Sequence, residues 1–120
     1  MLNLDYVCIE VGQNMPKGKD AQNNIRKALG ILQEDGVYAM FLWLEDKGKD
    51  IKEKLVELLN KREIKKYLLD SDEDSFLNDD FYKFCEKLKV VAENLDKLLF
   101  LKKIIAHTLT YALYHAKVGE

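Results

Sequence analysis

The sequence predicts an all-α protein: a single compact helical domain over residues 1–120, with about five to seven helices and a long helical segment at its C-terminal end. Three observations lead there. Apolar residues recur at spacings of three and four along most of the chain, and no segment keeps the period of two that marks a half-buried strand. One proline, Pro16, and six glycines are the only strong helix breakers in 120 residues. The composition, 48% hydrophobic and 33% charged, is that of a globular chain with a heavily solvated exterior, and this length suffices to bury one core without disulfides or a metal.

The elements follow in order. Leu4, Val7, Cys8 and Val11 form the stripe of a short first helix that Gly12 is expected to end. Gln13 to Lys19, containing Met15-Pro16, reads as a loop, and Asp20 as the cap of a second helix that turns Ile25, Ala28, Leu29 and Leu32 inward. Gly30 within it predicts the close approach of a neighbouring helix. Asp35-Gly36 breaks the run. Val37 to Asp46 then carries eight successive uncharged residues, which predicts a helix wrapped on several sides and acting as the pivot of the fold. Gly48 is expected to end it in the left-handed conformation. Asp50 and Glu53 have the spacing of a capping box for a helix over Ile51 to Asn60, with Ile51, Leu55, Leu58 and Leu59 facing inward. A short basic helix, Arg62 to Leu69, precedes Asp70 to Asp80, a connector too acidic to be core.

From Asp79 to about Ala116 there is neither proline nor glycine, and Phe81, Phe84, Leu88, Val91, Leu95, Leu98, Lys102, Ile105, Leu109 and Ala112 keep one helical stripe. A straight helix over 79–116 would run about 57 Å, against about 35 Å for a compact domain of this size. The segment therefore breaks near Asn94 to Asp96 or projects onto a partner. Its C-terminal half is apolar on more than one face and reads as a central core helix, with a protein–protein interface as the alternative. Lys102 and Lys103 in its middle argue against a membrane span.

A formal net charge of −2 leaves no bulk field to draw the molecule to nucleic acid or membrane, so such contact must come from a local patch. Cys8 and Cys85 form no CxxC arrangement and read as buried free thiols of a cytoplasmic protein. Leu2 to Val11 lacks the basic leader of a signal peptide.

Candidate chemistry is sparse. Asp70, Asp72 and Asp74 fall at positions one, three and five of a calcium loop, but Ser75 and Phe81 stand where its glycine and bidentate glutamate belong. His107 and His115 diverge by about 80° around one helix, so with Cys8 and Cys85 they would meet at a zinc ion only through long-range convergence. A helical ribonuclease with an Arg-x4–6-His motif is the enzyme reading to test; Lys102 and Lys103 precede His107 where the bidentate arginine is needed. No catalytic residue, metal ligand or cofactor is assigned. The basic residues are more informative: Lys17 and Lys19 before the helix bearing Arg26 and Lys27, then Lys47 and Lys49 at a turn, then the dense group Lys61, Arg62, Lys65 and Lys66. Such side chains supply salt-sensitive phosphate contacts without sequence readout, which multivalent assembly makes effective.

The run from Arg26-Lys27-Ala28-Leu29-Gly30 through Asp35-Gly36-Val37, followed by an apolar helix ending Phe41-Leu42-Trp43-Leu44-Glu45-Asp46-Lys47, resembles the small-subunit family of type III-B CRISPR effector complexes, the fifth protein of the Cmr series. Leu98-Leu99-Phe100-Leu101-Lys102-Lys103-Ile104-Ile105-Ala106 is similar to that family's late apolar-Leu-Lys-Lys/Arg segment. Leu29 stands where the family often has proline, and Asp35 replaces its common asparagine. The resemblance implies a non-catalytic helical subunit, able to stack on copies of itself, that meets the backbone subunits of the effector and lines the groove holding guide and target RNA. Arg26, Lys27 and Lys47 match its basic positions; Lys61, Arg62, Lys65 and Lys66 are added as RNA-binding residues from charge density. The alternatives are a free-standing helical adaptor and a divergent helical ribonuclease or toxin.

Overall fold

The computed structural model describes residues 3–71, 73–77 and 79–118. Among them are seven helices and no strand: α1 (Leu4–Gln13), α2 (Lys19–Asp35), α3 (Val37–Lys47), α4 (Lys49–Leu59), α5 (Arg62–Leu69), α6 (Phe81–Ala92) and α7 (Leu95–Val118). The radius of gyration is 13.4 Å, against about 13.6 Å expected for a compact chain of this length.

The break in the C-terminal segment falls at Glu93-Asn94. Asn94 caps the new helix, its Oδ1 accepting from Lys97 N at 3.1 Å. At 24 residues α7 has a length of about 36 Å, which fits inside the 40 Å long axis of the molecule. It packs against α1, α2, α3, α5 and α6, so the pivot is α7 rather than α3. Lys102, on its expected inward stripe, is half-buried, while Leu95, assigned to the same stripe, is exposed.

Apolar composition overstated how far α3 is enclosed. Val37, Met40, Phe41 and Leu44 are buried, but Tyr38 and Leu42, one turn apart, are 40% and 47% exposed. Two covered sides are enough for a helix whose inward stripe already fills the core, and the residues between them face out.

Several boundaries differ from the sequence expectation because glycine has more than one use. Gly12 does not end α1. It lies within it, where an added Cβ would stand 3.0 Å from both Thr108 O and Tyr111 Cβ, so it is the residue that lets α1 and α7 approach. Gly30, expected to have that role, is exposed with nothing within 4 Å of such a Cβ. Gly18, with φ of 103°, takes the N-cap position of α2, leaving Asp20 in the first turn. Gly36, with φ of 100°, joins α2 to α3 in a conformation that other residues rarely adopt. Gly48, at φ −152° and ψ 56°, is not left-handed; it is buried, and a Cβ there would meet Leu44 Cδ2 at 2.9 Å. α4 starts immediately after it, so the capping box does not form: Asp50 Oδ1 accepts from Ile51 N at 2.9 Å inside the first turn.

The acidic connector also contributes to the core. Phe76 is 2% exposed, with its ring 6.0 Å from that of Phe84, which in turn meets Phe41 edge-on at 4.8 Å. Lys87 Nζ to Asp74 Oδ1 at 2.6 Å and Lys97 Nζ to Asp70 Oδ2 at 2.5 Å tie the connector to α6 and α7. Asp72, the middle residue of the calcium-loop pattern, lies outside the described residues. Asp80 caps α6 by accepting from Lys83 N at 3.1 Å.

Candidate nucleic-acid interface

The seven basic residues singled out by sequence divide between two regions. Arg26 and Lys27 are exposed on α2. Arg26 Nη1 donates to Asn23 Oδ1 at 3.3 Å, and the next residue, Asn24, donates from Nδ2 to the Lys47 carbonyl at 3.2 Å. That bond fastens the end of α3 beside the turn of α2 that bears Arg26. The exposed side chain of Lys47 stands 3.6 Å from Asp46 Oδ2. Lys27 points to the other flank of α2, where it borders a shallow depression with Gly30, Ile31, Glu34 and Asp35.

The second region is α5 and the residue before it. Lys61 is the N-cap residue of α5, and its Nζ lies 3.4 Å from Glu10 Oε1 of α1. Arg62 and Lys66 are exposed and Lys65 is half-buried. Lys65 lies close enough to Asp74 to help hold that carboxyl below its ordinary value, after the larger effect of the Lys87 hydrogen bond. α5 packs on α4, α6 and α7, whereas α2 packs on α3 and α7, so the density of positive charge around Lys61 to Lys66 is partly matched by carboxylates from neighbouring elements.

Neither cysteine is poised for chemistry. Both are buried and free. Burial pushes the Cys8 thiol above its ordinary value, and its Sγ donates to Ile104 O at 3.6 Å. His107 is exposed and His115 half-buried. Among the described residues no three His, Cys, Asp or Glu side chains come close enough to hold a metal ion, and no helix is long and apolar enough to cross a membrane.

Three features lie outside the sequence reading. Lys52 is 2% exposed; its Nζ is 2.8 Å from Glu45 Oε2 and lies 4.9 Å and 5.1 Å from the ring centres of Phe84 and Phe81. The signal for it was positional, since Lys52 shares the stripe of Val56 and Leu59 on α4. The second feature is an exposed aromatic patch on α3 and α6. Tyr38 and Tyr82 are both exposed, and a hydrogen bond with Cys85 raises the Tyr38 hydroxyl above its ordinary value. The third is a cleft between α1 and α7 that brings Asp5 opposite Lys103 and His107.

No family model, curated protein or solved structure matches the chain.

Proposed function

We propose that this chain is a non-catalytic small subunit of a type III-B (Cmr) CRISPR effector complex, one that helps form the channel for guide and target RNA through sequence-independent backbone contacts. Support comes from the resemblance of the α2–α3 segment and of the late Lys102-Lys103 segment to that family. The observation that carries the reading is the Asn24–Lys47 hydrogen bond. It joins the Lys47 end of α3 to the turn of α2 that carries Arg26, so that two residues 21 positions apart in sequence lie on one surface. Exposed cations on helices suit phosphates and sugars, which are the same in every guide–target duplex. The other subunits of the complex are the expected protein partners. Tyr38 and Tyr82, both exposed, are of the kind that anchors protein interfaces, whether with those subunits or with another copy of this chain.

Fluorescence anisotropy of labelled RNA tests the nucleic-acid contact. Weak, sequence-indifferent binding that falls as salt rises is expected, and Arg26→Glu with Lys27→Glu should weaken it further. Co-purification with backbone subunits of such a complex tests the assembly. A chain that binds no RNA and assembles with none of them is instead the free-standing adaptor, for which the exposed Tyr38–Tyr82 patch is the relevant surface.

A further inference from the structure

The cleft between α1 and α7 has a volume of about 240 Å³ and is lined by Leu4, Asp5 and Cys8 on one side and by Phe100, Lys103, Ile104 and His107 on the other. Its parts are separated by chemical type. Lys103 and His107 are one turn apart on the same face of α7 and both are exposed. Asp5 faces them from α1. Leu4, Phe100 and Ile104 form an apolar floor, and Cys8 adds to it, because its thiol is kept neutral by burial and directed at the Ile104 carbonyl.

The lining is held in place by bonds that leave it open. Tyr111 OH donates to Asp5 Oδ1 at 2.6 Å, which orients the carboxylate and raises the tyrosine's own pKa. The Phe100 ring is braced edge-on by Tyr67, centre to centre 5.0 Å. Tyr67 is itself covered by Lys97, which is bound to Asp70. Gly12 sets the separation of the two helices. Groups held this way lose little freedom when a ligand arrives.

We propose that this cleft binds a single nucleotide, its phosphate between Lys103 and His107, its base against Phe100 and Leu4, and a base N–H donated to Asp5. Inorganic phosphate alone would use only Lys103 and His107 and would be opposed by Asp5. An apolar compound would leave the polar rim unpaired. A flat, hydrogen-bonding body carrying an anion uses all three parts. The proposal is independent of the RNA-channel reading, because none of these residues belongs to the basic surfaces around Arg26 or Lys61.

The full chain titrated with AMP, GMP, CMP and UMP, and watched by NMR at the His107 and Phe100 ring protons at constant pH, tests it. Saturable shifts of both rings are expected with at least one mononucleotide. Lys103→Glu, at an exposed position, should weaken binding at least about tenfold, as expected for one charge-assisted hydrogen bond. Phe100→Leu, which keeps an apolar side chain in place, should weaken it as well. Arg26→Glu with Lys27→Glu should leave it unchanged, which separates failure of this site from failure of the channel surface. A 5′-phosphorylated oligoribonucleotide that binds more tightly than any mononucleotide identifies an RNA end as the source; the reverse order identifies the free nucleotide. The proposal is overturned by no saturable shift with any of the four, by equal shifts from inorganic phosphate, by equal shifts from an apolar amino acid, or by indifference to Lys103→Glu.

Discussion

Asn60 holds the backbone of Phe76 at both polar groups: Nδ2 donates to Phe76 O and Oδ1 accepts from Phe76 N, each at 2.8 Å. One amide side chain thus replaces a strand neighbour and seats an aromatic ring in the core from within an otherwise polar connector. Asn60→Ala removes both bonds and leaves two backbone groups short of partners, a loss of about 2–3 kcal/mol in urea unfolding. Phe76→Ala should lose about 3–5 kcal/mol. If Asn60 acts by seating Phe76, the double variant will lose clearly less than the sum, and strict additivity would refute the coupling.

Gly12 and Gly30 should respond to alanine with opposite signs. At Gly12 the new methyl meets the backbone of α7 and Tyr111 Cβ at 3.0–3.2 Å, so the helices must separate, at a cost of about 1–3 kcal/mol. At Gly30 the methyl meets nothing within 4 Å, and the gain in helix propensity should stabilise by about 0.5–1 kcal/mol. Thermal unfolding of the two variants checks the pair, and a destabilised Gly30→Ala would mean that another surface covers that flank of α2.

The buried Lys52 and its partner Glu45 should also be asymmetric. Glu45→Ala leaves a cation 2% exposed without the carboxylate 2.8 Å away, which should cost about 3–5 kcal/mol. Lys52→Met keeps a long side chain against Phe81 and Phe84 and removes the charge, so its unfolding midpoint should match or exceed that of the wild type. A Lys52→Met variant as damaged as Glu45→Ala would show that the charge itself contributes net stability.

The hydrogen bond from Lys87, with the charge of Lys87 and Lys65 behind it, holds Asp74 below its ordinary value of 3.8. The folded pKa is therefore lower than the unfolded one. The contribution of this pair to stability is complete above the unfolded value and disappears as pH falls through the folded one. A carboxyl-carbon NMR titration should give Asp74 a midpoint below 3.8, and Lys87→Met should return it towards that value. An unchanged midpoint would separate the connector from α6.

The fold was legible where spacing alone decides it. Ile25, Ala28 and Leu32, or Ile51, Leu55, Leu58 and Leu59, could only lie on helices facing a core, and each is 0% exposed. The length limit required either a break near Asn94 to Asp96 or a projecting end, with no glycine or proline to choose between them, and the chain takes the break, between Ala92 and Leu95. What was not legible depended on tertiary neighbours. Phe76 has only Leu77 beside it as an apolar residue in an acidic segment and has no period to betray it. Gly12 and Gly30 look alike in a helix until a second helix lies on one of them. Lys52 occupied a stripe position that charge alone argued against. Among the site residues, sequence supplied the cations but not their neighbours, so it could not tell Arg26, which donates to a neutral asparagine, from Lys61, which faces a carboxylate.

That difference sets how each cation should contribute to RNA binding. A side chain that neutralises a phosphate releases condensed counterions and steepens the dependence of log Kobs on log salt by about 0.7 per contact on single-stranded RNA. Arg26→Gln with Lys27→Gln should therefore flatten the slope by about 1.4 if both residues meet phosphates. Lys61 is already 3.4 Å from Glu10 Oε1, so binding RNA would require it to leave that carboxylate, and Lys61→Gln should change the slope much less. Glu10→Gln frees Lys61 and should raise affinity, most at low salt, where surface charges are least screened. Equal slope changes for Lys61→Gln and Arg26→Gln would show that the Glu10 pair opens on binding and that the α5 end of the surface contacts RNA as fully as α2 does.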